Sequence, residues 1–301
     1  MATAETLDLH YAGRSGLIST FLVPTGDGGF VLLDSGPASG LTALENEIEA
    51  AGFTLGDLRA VLLTHIHLDH AAAAGTLARR TGCQVWVHPA GAFHVGSPES
   101  KLLPSARRLY GDQLEVKWGA MEGVPDRLLH EVEHGEPLRF GDLKAVGWHT
   151  PGHARHHVAW QVGDSVATGD VGGVRLQGPD YVLPPTPPPD IDVPAWLESI
   201  DLVRKLEPAH LLLTHFGSFD DPGPHLDQLA GRLRRWSRVA GEVVGEGGDS
   251  EELERRLIEL DHSERPAEGI PDDLDEGFQE ICPMADNAAG LHRWATKQPG
   301  V

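Results

Sequence analysis

Residues 64–70 read Thr64-His65-Ile66-His67-Leu68-Asp69-His70, with three histidines and a carboxylate inside a six-residue window that directly follows the apolar run Ala60-Val61-Leu62-Leu63. A metal site, a charge-relay site or chance could each produce such a cluster, and the 17 histidines of the chain make chance worth weighing. Along an extended chain His65 and His67 point to the same side, and the turn that follows returns Asp69 and His70 to the same region. Packed imidazoles otherwise need many hydrogen-bond partners. Two imidazoles beside a carboxylate–imidazole pair suit two borderline metal ions better than one.

Three further places supply matching residues. His153 stands behind a Pro-Gly turn in "HTPGHARHH", Asp170 follows a short strand in "VATGDVGG", and His215 closes the buried strand of "HLLLTHFG". Gly169 lets the backbone turn sharply just before Asp170. Each residue lies where a strand gives way to a loop, the usual place for site residues in layered α/β folds.

The elements that must carry these residues read as strand–helix–strand alternation, which argues for a layered α/β fold. "LISTFLVP" and "FVLLD" form a hairpin ending in Asp34, "LTALENEIEAAG" a helix closed by Gly52, and "LRAVLLT" a strand buried on both faces. A helix over "AAAAGTLARRTG" and a strand over "QVWVH" follow. Residues 97–136 read as an amphipathic helical insert, and strands return over "PLRFGDLKAVGWH", "HHVAWQVG" and "SVATGD". Six prolines in 178–192 require an extended loop. After a helix over "VPAWLESIDLVRKLEP" and a strand over "HLLLTH", the chain from about residue 225 reads as three helices, the middle one capped by Asp249. The expected division is a site-bearing domain over 1–224 and a C-terminal helical region over 225–301.

The order HxHxDH, TPGH, GD and a late TH resembles the metallo-β-lactamase fold superfamily over residues 15–220. The resemblance implies an αββα sandwich, here with a C-terminal helical extension, and metals in a groove at one edge of the two sheets. It also implies a ligand pairing: His65, His67 and His153 for a first divalent transition-metal ion, Asp69, His70 and His215 for a second, and Asp170 between them. Zinc is the first expectation, with iron or manganese fitting the same ligands. True β-lactamases of this fold usually lack the bridging aspartate, and flavodiiron proteins carry HxExD where His67 stands here. What remains looks like the glyoxalase II-like hydrolases. The chemistry implied is a hydroxide shared by two metal ions attacking the carbonyl of a small ester, thioester or lactone, with Asp69 orienting the nucleophile. A mononuclear iron sulfur dioxygenase using His65, His153 and Asp170, or a non-catalytic metal-binding protein, is the alternative.

A formal net charge of −21, from 24 Lys+Arg against 45 Asp+Glu, opposes polyphosphate partners, so a small-molecule substrate is expected and nucleic acid is not. Residues 246–280 alone hold 14 acids against three arginines, which argues against a glutathione thioester. No apolar run approaches the roughly 18 residues a membrane span needs, and the start of the chain lacks a secretory pattern. Cys83 and Cys282 read as two reduced thiols, so a cytoplasmic protein is expected. Tyr181, Phe216 and Arg175 are candidate substrate residues, as are Tyr110 and Trp118 of the insert, and the proline-rich loop is a candidate groove wall. Asp34 and His157 are candidates to orient ligand imidazoles. The C-terminal helices could lean on the groove or form a homodimer face.

Overall fold

The computed structural model describes residues 4–267 and 269–298. Its first sheet runs in the order β1 (Glu5–Asp8), β2 (Ser19–Pro24), β3 (Phe30–Leu33), β4 (Leu58–Leu62), β5 (Gln84–Val87) and β6 (Leu129–Glu131). The second contains β7 (Glu136–Phe140), β8 (Leu143–His149), β9 (Val158–Val162), β10 (Ser165–Ala167), β11 (His210–Leu213) and β12 (Gly217–Phe219), also in sequence order. Between β3 and β6 all pairing is parallel, whereas in the second sheet only β10 and β11 pair that way.

The two sheets bury their facing surfaces in a core of alternate residues, among them Phe21, Val31, Leu33, Ala60 and Leu62 from the first and Ala145, Trp160 and Leu212 from the second. Neighbours of opposite parity, such as Leu22, Leu32 and Val61, join a second core beneath the helices. Strands buried on both faces must read as unbroken apolar runs, and "FVLL" and the "AVLL" that follows the exposed Arg59 do.

Helices α1 (Leu41–Ala50), α2 (Leu68–Ala71), α3 (Ala74–Thr81) and α4 (Pro89–Gly96) belong to the first half of the chain. Leu44, Ile48, Leu77 and Ala78 supply their apolar faces. On the other side α7 (Val193–Lys205) and α8 (Pro222–Gly245) contribute Trp196, Ile200, Leu226 and Leu229. The remaining helices are α5 (Leu102–Tyr110) and α6 (Leu114–Trp118) of the insert, and α9 (Ser250–Glu264), α10 (Asp272–Ile281) and α11 (Met284–Ala295) at the C-terminal end. α11 packs on both α8 and α9, and their Leu253, Leu257 and Leu291 continue the core beneath the helices.

Four details depart from the sequence reading. The edge strands β1 and β12, of four and three residues, are too short to announce themselves by pattern. The stretch expected to be helical over 97–136 ceases to be α-helical at Trp118, and its Leu129–Glu131 portion is β6, paired with β5. α4, which precedes that stretch, begins with Pro89 and is capped by the His88 ring accepting from the Ala90 amide at 3.0 Å. α10 is a fourth C-terminal helix, with Asp272, Asp273 and Asp275 in its first turn, where negative charge favours a helix N-terminus. Asp249 caps α9 as expected, accepting from the Glu252 amide at 3.0 Å.

Among the described residues, no helix is long and apolar enough to cross a membrane. Cys83 and Cys282 are free and buried, and burial pushes the Cys282 thiol up to about 12 and the Cys83 thiol upward as well. A thiol reagent at pH 8 should therefore find no reactive cysteine in the native protein and two after unfolding in guanidinium. A fast-reacting native thiol would contradict this packing.

Candidate metal centre

All seven candidate ligands converge at one edge of the sandwich. The chain leaves β4 at Leu62 and reaches His65 and His67 in extended conformation, and α2 then presents Asp69 and His70. His153 follows β8, Asp170 lies in the turn after β10, and His215 comes two residues after β11. Cross-links between the sheets hold this edge closed: the Val158 amide donates to the Thr64 carbonyl at 2.7 Å, the Trp160 indole to Leu63 at 2.9 Å, and the Ser19 amide to Thr214 at 2.8 Å.

Two of the turns require glycine. At Gly152 a Cβ would stand 2.3 Å from the Trp196 backbone, and at Gly169, with φ +46°, it would meet Thr64 at 2.6 Å and the His157 ring at 2.8 Å. The Trp196 backbone cannot shift cheaply, so His153 reaches the edge only behind a residue without a side chain.

The donor atoms fall into two groups, each gathered within 4.8 Å: His65, His67, His153 and Asp170 in one, Asp69, His70 and His215 in the other. In the first, His67 Nδ1 lies 3.0 Å from both His65 Nε2 and His153 Nε2. The other nitrogens of the last two rings are already engaged. His65 Nδ1 is 3.1 Å from the Thr64 hydroxyl, and His153 Nδ1 is 2.8 Å from the Pro185 carbonyl. Rings that donate from Nδ1 turn lone pairs at Nε2 inward, so three imidazole nitrogens converge with too few protons to satisfy one another. A cation at their meeting point fits that arrangement.

Asp170 lies between the groups and turns one oxygen to each. Oδ2 faces His153 Nε2 at 3.3 Å and His65 Nε2 at 3.9 Å, while Oδ1 faces His70 Nε2 at 3.2 Å and His215 Nε2 at 3.5 Å. Asp69 Oδ2 completes the second group, 3.4 Å from His70 Nε2 and 3.3 Å from His215 Nε2. Despite this crowding, the buried His70 Nε2 and Asp170 Oδ1 have no aligned hydrogen-bond partner, the mark of atoms placed for another species. His215 Nδ1 is 3.0 Å from the Leu17 carbonyl, so its Nε2 also points inward.

Electrostatics divide the groups in the same way. Burial pushes His65 well down and His67 down to about 3, and it lowers His153, so these three rings are neutral and can donate lone pairs. Burial alone would lower His70 too, but the carboxylates of Asp69, Asp170 and Asp34 outweigh it and hold that ring well above the usual histidine range. Burial likewise works to raise Asp69 and Asp170, yet His70 and its neighbours hold both carboxyls below the usual range.

Asp34 and His157 support the candidate ligands from behind. Asp34 Oδ2 is 2.8 Å from His70 Nδ1 and accepts the Thr64 hydroxyl at 2.8 Å, and Oδ1 accepts the Thr64 amide at 2.6 Å. His157 stacks on His65 with ring centroids 5.1 Å apart and is held by Thr150 at 2.8 Å.

Two residues expected at the substrate are placed elsewhere. Tyr181 is buried against Phe278 and donates its hydroxyl to Asp261 of α9, with Arg232 over its ring. Arg175 pairs with Asp221 at 2.8 Å and Asp180 at 3.1 Å and lies over Phe219, so its guanidinium is occupied. Their local sequence does not announce this, because Asp261 and Asp221 stand far along the chain from the side chains they engage. Phe216 is half-buried, near Gly16.

Tyr11, which the sequence did not single out, stacks on Trp118 at 5.3 Å, and Tyr110 meets the same indole edge-on at 5.7 Å. Tyr11 lies on a cleft also bordered by Ser39, Gln113, Lys117 and Glu280. Burial pushes the phenols of Tyr11 and Tyr110 up, and the negative charge of Asp69 adds to both shifts. Thr64 and Thr214 also escape the sequence reading. Each immediately precedes a candidate ligand in a Thr-His pair, the one signal that points to them.

Comparison with known proteins bears on the fold that carries this cluster. The profile described as the metallo-beta-lactamase superfamily matches residues 14–215. A metallo-beta-lactamase fold-containing protein of Sulfurisphaera tokodaii is 31% identical over 66% of this chain and 73% of its own length. A hydroxyacylglutathione hydrolase of Bradyrhizobium sp. is 29% identical over 44% of this chain and 42% of its own. The crystal structure of a metallo-beta-lactamase family protein from Thermus thermophilus superposes with a TM-score of 0.68 over 98% of this chain and 93% of that one. At 19% identity that likeness concerns the fold alone, and its coverage takes in the C-terminal helices.

Replacing Asp34 with alanine strands the Thr64 amide and hydroxyl and removes the carboxylate partner of His70 Nδ1. We expect a loss of about 3–5 kcal/mol in guanidinium unfolding. A loss below about 1 kcal/mol would show that Asp34 does not tie the site together.

Proposed function

Because the chain belongs to the metallo-beta-lactamase superfamily, whose members are mostly metal-dependent hydrolases, we propose that it hydrolyses a small ester, lactone or simple thioester with two divalent ions, zinc being the first choice. The observation that carries this reading is the Asp170 carboxylate, one oxygen turned to each donor group. Ions bound there would supply Lewis acidity and bring the pKa of a shared water towards neutrality.

The protein side of the reaction follows from placement. The side chain of Asp69 is 18% exposed, against 7% for Asp170 and 0–2% for His70 and His215. It is the carboxylate best placed to orient an attacking water and accept its proton. Asp170, more deeply held, sets the separation of the two groups. His65, His67 and His153 form a neutral tripod fixed by Thr64 and Pro185.

On the substrate side, the cluster of Tyr11, Tyr110 and Trp118 supplies an apolar wall with two phenol hydroxyls. Lys117 of α6 pairs with Glu280 of α10 at 2.7 Å, which joins the insert to the acidic C-terminal helices. The Glu280 charge is felt at Tyr11 and that of Asp286 at Tyr110. Acids in this position disfavour a polyanionic substrate, as does the net charge of −21. The match to the Bradyrhizobium hydroxyacylglutathione hydrolase spans less than half of that protein, so the glutathione moiety in its name is not carried over.

Elemental analysis after reconstitution should find two transition-metal ions per chain. At most one tightly bound ion would contradict the two-ion reading, and a single iron would favour the sulfur dioxygenase. Asp170→Ala should weaken both sites, whereas Asp69→Ala should keep the ion at the histidine tripod and lower kcat by about 100-fold or more. In a panel of neutral esters, lactones, thioesters, S-acylglutathiones and RNA, we expect turnover of the first three classes. An S-acylglutathione turned over far faster than matched neutral substrates would overturn the charge argument, and so would RNA cleavage at physiological salt.

A further inference from the structure

From residue 184 to 189 the chain reads Pro-Pro-Thr-Pro-Pro-Pro, and only Thr186 has a backbone N–H. A segment so poor in donors cannot hold itself with a ladder of its own, so groups from outside must fix it. Asn287 of α11, buried to 1% exposure, accepts the Thr186 N–H at Oδ1, 2.7 Å away. The Asn287 carbonyl accepts the Thr186 hydroxyl at 3.1 Å. Its side-chain amide donates to the Cys282 carbonyl at 3.2 Å, which fixes the orientation of the acceptor.

One helical turn further on, Gly290 lets α11 lie directly on the strap. A Cβ there would stand 1.9 Å from the Thr186 carbonyl oxygen and 2.8 Å from the Pro187 carbonyl carbon. Upstream, Arg232 of α8 donates to the Val182 carbonyl at 2.9 Å, and Asp261 of α9 accepts from Tyr181. The residue just before Thr186 is Pro185, whose carbonyl receives the Nδ1–H of His153 at 2.8 Å.

We infer that α11 positions His153 through this strap, with Asn287 as the positioning residue. The inference rests on the reading of His153 as a metal ligand. The hydrogen bond at Nδ1 selects the ring tautomer and sets the direction of the Nε2 lone pair. Without Asn287 the strap loses its one backbone tie beside Pro185, and the acceptor for His153 is no longer fixed. The C-terminal helices thereby become part of the centre although they contribute none of its candidate ligands.

Asn287→Ala tests this against His292→Ala, which removes the contact of the His292 ring with Gly248 (3.0 Å) on the same helix without touching the strap. Two readouts are needed. The first is the tautomer of the His153 ring in the metal-free protein, from long-range 1H–15N NMR. The second is the affinity of each site for cobalt(II), from chelator competition.

We expect Asn287→Ala to mix the His153 tautomers and weaken one cobalt site about tenfold, leaving the other unchanged. Asn287→Asp, which keeps the acceptor and in its protonated form can still donate to the Cys282 carbonyl, should recover most of both. His292→Ala should alter neither. If Asn287→Ala does not fold, Asn287→Leu, close in size to asparagine and without an acceptor, should give the same pattern. An unchanged His153 tautomer with both affinities intact would overturn the inference, as would an equal response to His292→Ala. If the wild-type protein binds fewer than two cobalt ions the functional reading fails instead, and the tautomer alone then decides the role of the strap.

Discussion

Asp34 is buried at the end of β3, where the ends of β4 and β11 and helix α2 meet it, and its carboxylate takes hydrogen bonds from each of the three. Thr64, beyond β4, donates its amide and hydroxyl at 2.6 and 2.8 Å, Thr214, beyond β11, its hydroxyl at 3.2 Å, and the His70 ring lies 2.8 Å away. The residue adopts φ +64°, a left-handed conformation that glycine would take more easily. Glycine would remove the carboxylate, and Asp is among the side chains that tolerate this region. The backbone conformation and the counter-charge are thus supplied by one residue, and the loops carrying His65, His70 and His215 inherit their registration from it.

With those loops fixed, the asymmetry of the centre follows. Thr64 passes the constraint on to His65, and Pro185 holds His153, so the first group contains neutral rings whose lone pairs face inward. The second group is richer in charge, because His70 lies among Asp34, Asp69 and Asp170. Asp170 spans the two because Gly169 lets the chain pass within contact distance of Thr64 and His157. A cluster built this way, with a buried ring nitrogen and a carboxylate oxygen left without partners, is costly for a protein to keep unless something binds there.

Much of this is legible in the sequence because each candidate ligand stands beside a strand end marked by an apolar run. "LRAVLLTHIHLDH" and "HLLLTHFG" show element and donor together. The supports are harder to find. Leu17 and Pro185 act through backbone carbonyls, which have no signature in residue type. Asn287 acts from the far end of the chain, and only the folded chain brings the acids of α9 and of the turn before α8 onto Tyr181 and Arg175. β1 and β12 exist because the sheets have edges to extend, a tertiary cause that overrides weak local pattern.

As proposed, Asp170 joins two metal ions across this edge of the sandwich. Anomalous scattering from crystals of the metal-loaded protein tests it most directly. We expect two peaks about 3.5–4 Å apart, one at the His65–His67–His153 tripod and one at Asp69, His70 and His215, with a carboxylate oxygen of Asp170 bound to each. A single peak at saturating metal, or two peaks with Asp170 bound to neither, would contradict it.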